Sequence, residues 1–243
     1  MTGPVRKLFP LGMAEAPEHK DAPRTARFLV ANFEKWFLPR LAARLPRFVM
    51  PDHLTGLGIV AATGIMVAYM YSNRNEAWLW AVNAALFLHW IGDSLDGTLA
   101  RVRRIQRPRY GFYLDHLTDA YSTVAIGLGL GLSPYMLVSV ALAIVVMYLV
   151  LSINVYLETY VLGEFRYGYG WMGPTEARIA LVVLNLLALT TGPLPFRLWG
   201  VVMTVYDAMG IVVAISMVAL LLSRAFRNLG ALARLEPPNV VKD

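Results

Sequence analysis

Charge is confined to short blocks along this chain, and the segments between them are almost wholly apolar. Stretches without Asp, Glu, Lys or Arg run from His53 to Asn73, Ala77 to Gly92, Ala120 to Leu157, Ile179 to Phe196 and Ala208 to Ser223. A membrane-spanning helix needs about 20 mainly apolar residues. The third stretch therefore holds one full span and most of another, with Ser133-Pro134 as the break. The pattern predicts an all-α integral membrane protein with six transmembrane helices.

Composition strengthens this reading: 57% of the 243 residues are hydrophobic and 16% charged, against about 25% charged in soluble domains. The first span begins after residue 50 and follows mixed charge, unlike the short apolar core of a cleavable signal peptide. Before it, Thr25 to Phe48 mixes Phe28, Leu29, Phe33, Trp36, Phe37, Leu41 and Leu45 with Arg and Lys. That spacing predicts an N-terminal amphipathic interfacial helix in the headgroup layer; the alternative is a linker helix packed on the loops. Pro51 marks the start of the first span.

Basic residues collect at one end of the predicted spans. They precede the first span (Arg24, Arg27, Lys35, Arg40, Arg44, Arg47), join the second to the third (Arg101, Arg103, Arg104, Arg107, Arg109) and the fourth to the fifth (Arg166, Arg178), and follow the sixth (Arg224, Arg227, Arg234). The opposite connections carry only Arg74 and Arg197. The positive-inside rule then places both termini in the cytoplasm. Residues 1–50 form a cytoplasmic N-terminal segment, 51–228 the six-helix transmembrane domain and 229–243 a cytoplasmic tail, disordered from about Glu236. With no cysteine, disulfides, thiolate metal sites and cysteine nucleophiles are excluded. The net charge of +6 points to a membrane surface rather than nucleic acid.

The segment from Asp93 to Asp119 breaks the apolar pattern with four aspartates and five arginines. Asp93 and Asp96 arrive at the cytoplasmic end of the second span on one helix face. Gly111, Asp115 and Asp119 form a stripe on the third span, which starts at the same surface. Four carboxylates at one level repel one another and need positive charge between them. Oxygen ligands without thiols or a histidine cluster suit hard divalent cations such as Mg²⁺, Mn²⁺ or Ca²⁺, and four can hold two ions that clamp a phosphate. Gly97, Ala100 and Gly111 leave room against the helices, and Arg101 adds a permanent cation suited to phosphate.

The string DxxDGxxAR followed by GxxxDxxxD resembles the signature of the CDP-alcohol phosphotransferase family. Asp93, Asp96, Gly97, Ala100, Arg101, Gly111, Asp115 and Asp119 match it. The spacer Val102 to Tyr110 has nine residues where many members have eight. MPDHLTGLG, from Met50 to Gly58, is similar to the PNxLTxxG start of the first span in many members, with Thr55 in place and Asp52 replacing asparagine. The resemblance covers roughly residues 50 to 225 and implies that an alcohol attacks the β-phosphorus of a CDP-linked alcohol and releases CMP. It further implies two divalent cations, Mg²⁺ or Mn²⁺, on Asp93, Asp96, Asp115 and Asp119. Thr55, Gly97, Ala100, Arg101 and Gly111 then line the nucleotide and phosphate site, Asp119 is the candidate general base, and a homodimer is expected.

Which alcohol carries the CDP rests on two shorter features. DHLTD, with His116 after Asp115, resembles the DHxxD form of the choline and ethanolamine phosphotransferases, in which that histidine is a proposed base; His116 equally suits a hydrogen bond to a headgroup or neighbour. GPTE, Gly173 to Glu176, resembles a segment of the same enzymes and also suits a helix start with proline in its first turn. Both lean toward CDP-choline or CDP-ethanolamine with diacylglycerol. The alternative is a CDP-diacylglycerol-dependent synthase of the phosphatidylinositol, phosphatidylglycerol or phosphatidylserine type. An ion-coupled transporter fits less well, because transporters place ionisable groups near the midplane, and an inactive scaffold would not need every motif ligand.

Four further expectations concern charged groups around the motif. Asp207 is expected well inside the sixth span, lining a cavity or paired with a neighbouring helix. Glu158, Glu164 and Arg166 are expected at a solvated helix end, His89 as a packed neighbour of Asp93, and the spacer arginines as topology signals.

Overall fold

The computed structural model describes residues 30–162, 173–198 and 200–236. The described residues are all-helical apart from one short hairpin. Among the described residues the elements are α1 (Ala31–Arg44), α2 (Pro51–Tyr71), α3 (Trp78–Val102), α4 (Pro108–Gly131), α5 (Val138–Leu162), α6 (Pro174–Thr191), β1 (Phe196–Leu198), β2 (Val201–Met203) and α7 (Val205–Leu235). Helices α2, α5, α6 and α7 are long and apolar enough to cross a membrane, which makes this a membrane protein. Helices α3 and α4, of 25 and 24 residues, carry the charged segment at their adjoining ends.

Local chemistry sets the helix starts. Proline occupies the first position of α2, α4 and α6, where no backbone N–H is needed. Met50 N–H donates to Nδ1 of His53 (3.2 Å) before α2, and Gly173 N–H donates to Glu176 Oε2 (3.0 Å) before α6. The break at Ser133-Pro134 falls between α4 and α5, as the charge-free pattern predicts.

Asp207 is not deep in a span. The β1–β2 hairpin, which the apolar pattern conceals and Gly200 turns at φ +83°, delays the start of α7 to Val205. Asp207 consequently lies in the first turn of α7, buried, accepting from Thr204 N (2.7 Å) and from Leu137 N (2.6 Å) in the α4–α5 connection. It satisfies orphan donors at a helix start and pins α7 to the neighbouring loop.

Among the described residues two apolar clusters hold the helices together. One, toward the ends of α2 and α4 remote from the charged segment, contains Ile65, Tyr69, Leu79, Val82, Leu86, Leu130, Tyr135 and Tyr206. Within the bundle, Tyr69 Oη donates to Asn185 Oδ1 (3.0 Å) and Asn185 Nδ2 to Asn83 Oδ1 (2.8 Å). The other cluster joins Leu38 and Ala42 of α1 to Leu54, Leu95 and Leu99. Leu95 and Leu99 are buried on the side of α3 that leaves Asp96 and Gly97 in a cleft or exposed.

Helix α1 is shorter than the amphipathic segment read from sequence; residues 25–29, and Glu164 and Arg166 elsewhere, lie outside the described residues. It buries Leu38 and Ala42 while Phe33 and Trp36 stay more than half exposed. Phe37 stacks on Trp90 of α3 at 6.2 Å. Glu34 Oε1 accepts from Trp90 Nε1 (2.9 Å) and from Thr175 Oγ1 (2.7 Å), tying α1 to both α3 and α6.

The backbones of α2 and α3 touch at Gly92, where an added Cβ would stand 2.6 Å from Gly58 N and 2.7 Å from Leu54 O. Gly92→Ala is expected to cost about 1–3 kcal/mol through this backbone clash. Gly111→Ala meets nothing within 4 Å and is expected to leave stability unchanged. Thermal unfolding of the two variants, purified side by side, checks the contrast; equal midpoints would contradict the close approach.

Candidate active site

Helix α2 packs against both α3 and α4 and lies between them. The ends of α3 and α4 that carry the motif thus leave a cleft over α2, lined by Thr55, Gly58 and Ile59 of α2, His89, Asp93 and Asp96 of α3, and Thr118 and Ser122 of α4. The four motif aspartates meet around it. Asp119 lies within hydrogen-bonding reach of Asp93 and close to Asp115, and Asp96 is near enough to Asp93 and Asp115 to feel both charges.

Each carboxylate has its own surroundings. Asp96 Oδ2 accepts from Thr55 Oγ1 (2.7 Å), which brings the expected residue of the first span into the site. Asp93 Oδ2 accepts from Arg178 Nη2 of α6 (2.6 Å). Asp115 is about half exposed and its Oδ2 is 3.8 Å from His116 Nδ1. Gly97 and Gly111 lie exposed nearby: a Cβ at Gly111 meets nothing within 4 Å, and one at Gly97 meets only an Arg101 Nη at 3.5 Å. Arg101 Nη2 donates to Thr98 Oγ1 (3.0 Å). The faces expected to receive a nucleotide are open ones.

Among the described residues no three His, Asp or Glu side chains converge closely enough to enclose an ion unaided. The donor set nevertheless fits a hard divalent cation, because it consists of carboxylate oxygens on two helices. The approach of Asp119 to Asp93 calls for positive charge between like groups.

His116 sits on the α5 side of this cluster. Its Nδ1 hydrogen-bonds the Phe112 carbonyl (2.7 Å), so Nδ1 carries the proton and the basic lone pair belongs to Nε2. Its ring lies 4.1 Å from Phe112 and 5.1 Å, edge-on, from Tyr156. These contacts hold the imidazole in one orientation beside Asp115.

Several contacts around the cleft were hidden in the sequence. Arg178, counted there only among the topology signals, reaches Asp93 and donates through Nε to His89 Nδ1 (3.0 Å); its place one turn into the helix that opens with GPTE was the available clue. His89 is buried beside Asp93, as expected. Arg103 binds the carbonyls of Leu45 (2.9 Å), Pro46 (2.8 Å) and Val49 in the α1–α2 connection, a structural clamp beyond any topological role. Asp52, the departure from asparagine, pairs with Arg107 of the nine-residue spacer at 2.5 Å.

Glu158 is buried, contrary to the solvated helix end expected for it. Its Oε2 pairs with Arg224 Nη2 (3.1 Å), and its Oε1 accepts from Asn154 Nδ2 (2.7 Å) and Asn228 Nδ2 (2.6 Å). The group fastens α5 to α7.

Comparison with known proteins bears on the family of the chain. Cholinephosphotransferase 1 of Danio rerio is 29% identical over 160 residues, which cover 63% of this chain and 41% of that protein. The chain thus spans about two fifths of that relative's length. The profile of the CDP-alcohol phosphatidyltransferase family matches residues 48–222, a range that includes all four carboxylates, Thr55, His116 and Arg178. Because that profile spans most of the chain, the chain belongs to the CDP-alcohol phosphatidyltransferase family.

Proposed function

We propose that this protein transfers a phosphorylated headgroup from CDP-choline or CDP-ethanolamine to diacylglycerol and releases CMP. The observation that carries the reading is the convergence of Asp93, Asp96, Asp115 and Asp119 on one cleft with Thr55 and the open faces of Gly97 and Gly111. The choice of headgroup rests on the DHLTD and GPTE segments and on similarity to the zebrafish cholinephosphotransferase.

Asp93, Asp96, Asp115 and Asp119 would hold two divalent cations, Mg²⁺ or Mn²⁺. Such ions, when bound, neutralise the pyrophosphate and stabilise the leaving CMP. The cytidine lies against Gly97, Ala100 and Gly111, and Arg101 contacts phosphate from the exposed side. The acceptor hydroxyl oxygen bonds to the β-phosphorus, the bond from that phosphorus to the CMP oxygen breaks, and the hydroxyl proton passes to a base. Asp119 and His116 Nε2 are the candidates to take it. The Nδ1 bond to the Phe112 carbonyl supports the histidine, because it leaves Nε2 as the basic atom.

In the same reading α2 to α7 are six spans with both termini and the active site facing the cytoplasm. The exposed Phe33 and Trp36 of α1 support an interfacial position for that helix. The family resemblance supports a homodimer.

The test is CMP release by purified protein with Mg²⁺ or Mn²⁺. CDP-choline or CDP-ethanolamine is supplied with diacylglycerol and, in parallel, CDP-diacylglycerol with inositol, glycerol phosphate or serine. CMP from the first set alone is the expected result. CMP from the second alone would reverse the donor, and silence in both with folded protein would remove the transferase reading.

A further inference from the structure

Arg178 enters the site from α6 in a constrained way. Its Nε donates to His89 Nδ1 (3.0 Å) and its Nη2 to Asp93 Oδ2 (2.6 Å). Nε and Nη2 lie along one edge of the planar guanidinium, and His89 and Asp93, one helical turn apart on α3, take up that edge. Because arginine is always a donor, His89 accepts at Nδ1 and is neutral there. The side chain is 11% exposed. Nη1, on the remaining edge, is buried and hydrogen-bonds nothing among the described residues.

A buried guanidinium N–H without an acceptor is costly, and an anionic oxygen is the partner that suits it best. Depth indicates which anion. Gly97, Arg101 and Gly111 are exposed at the outer lip of the cleft, whereas His89, one turn beyond Asp93, is 4% exposed. With the cytidine of the proposed function against Gly97 and Gly111 at this lip, the distal phosphate would extend toward Asp93 and Arg178.

We propose that Nη1 of Arg178 donates to a non-bridging oxygen of the β-phosphate of the nucleotide donor, and that Arg178 is therefore a direct contact to the group being transferred. Asp119 lies against Asp93 and close enough to Arg178 to sense its charge, so the guanidinium stands beside the carboxylates that surround the phosphate. The inference rests on the reading of the chain as a CDP-alcohol transferase and adds a residue from a helix outside the signature.

The experiment compares CDP with CMP, which lacks the β-phosphate, by titration calorimetry on the purified full chain with Mn²⁺, alongside Mn²⁺ alone. Arg178→Gln is expected to weaken CDP binding by about 10-fold or more and to leave CMP and Mn²⁺ binding near wild type. Arg178→Lys, which keeps the charge without the fork, is expected to fall between them and serves as the test variant if the glutamine protein does not fold. A parallel loss of CDP, CMP and Mn²⁺ binding would overturn the proposal, since Arg178 would then only position Asp93. Unchanged CDP binding would also overturn it. Wild-type protein that binds neither nucleotide would refute the transferase reading itself.

Discussion

Asp119→Asn is expected to lower CMP release by about 100-fold or more. The substitution keeps the shape of the side chain, so the packing of α4 over α2 should survive. It removes both a negative charge and a proton acceptor from a position where Asp93 and Asp115 converge. The loss is expected to persist at saturating Mn²⁺ and saturating nucleotide, because a base acts on the reacting hydroxyl rather than on affinity alone. Turnover is the quantity to measure, with a thermal midpoint to establish folding. Near-wild-type turnover would exclude Asp119 from the proton transfer and leave His116 Nε2 to accept it.

Removal of Glu158 should produce the largest loss of stability. Its carboxylate and the Arg224 guanidinium are 7% and 8% exposed, and breaking a buried ion pair from one side costs about 3–5 kcal/mol. Glu158→Ala also strips an acceptor from Asn154 and Asn228. The expected result is a midpoint several degrees below wild type. Replacing the pair together, as Glu158→Met with Arg224→Leu, should recover most of the loss, since apolar groups of similar size substitute well for a buried pair. A single variant as stable as wild type would mean that the clasp contributes nothing to the α5–α7 contact.

Features that depend on neighbouring residues were the ones that could be read from the chain. Pro51 and Pro174 open helices because of their own backbone chemistry, and Ser133-Pro134 ends one. The three- and four-residue spacings of the aspartates fix helix faces wherever the helices lie. Arg178 and Glu158 could not be read in this way, because each acquires its role from a partner on another helix, Asp93 in one case and Arg224 in the other. Positive charge beside a span serves topology and chemistry equally well, and only the packing of α6 on α3 separates the two for Arg178. Asp207 was displaced from its expected depth by the β1–β2 hairpin, whose strands pair across a turn and so delay the start of α7 to Val205, a consequence of pairing that the charge-free pattern does not carry.

The grip of Arg103 on the α1–α2 connection has a mechanical consequence. One guanidinium at the end of α3 holds a run of carbonyls from Leu45 to Val49, while Leu38 and Ala42 anchor the preceding helix on Leu95 and Leu99. The connection is thus a rigid bracket rather than a hinge. Lateral pressure applied to α1 is carried as a load into the last turns of α3, the stretch that bears Asp96.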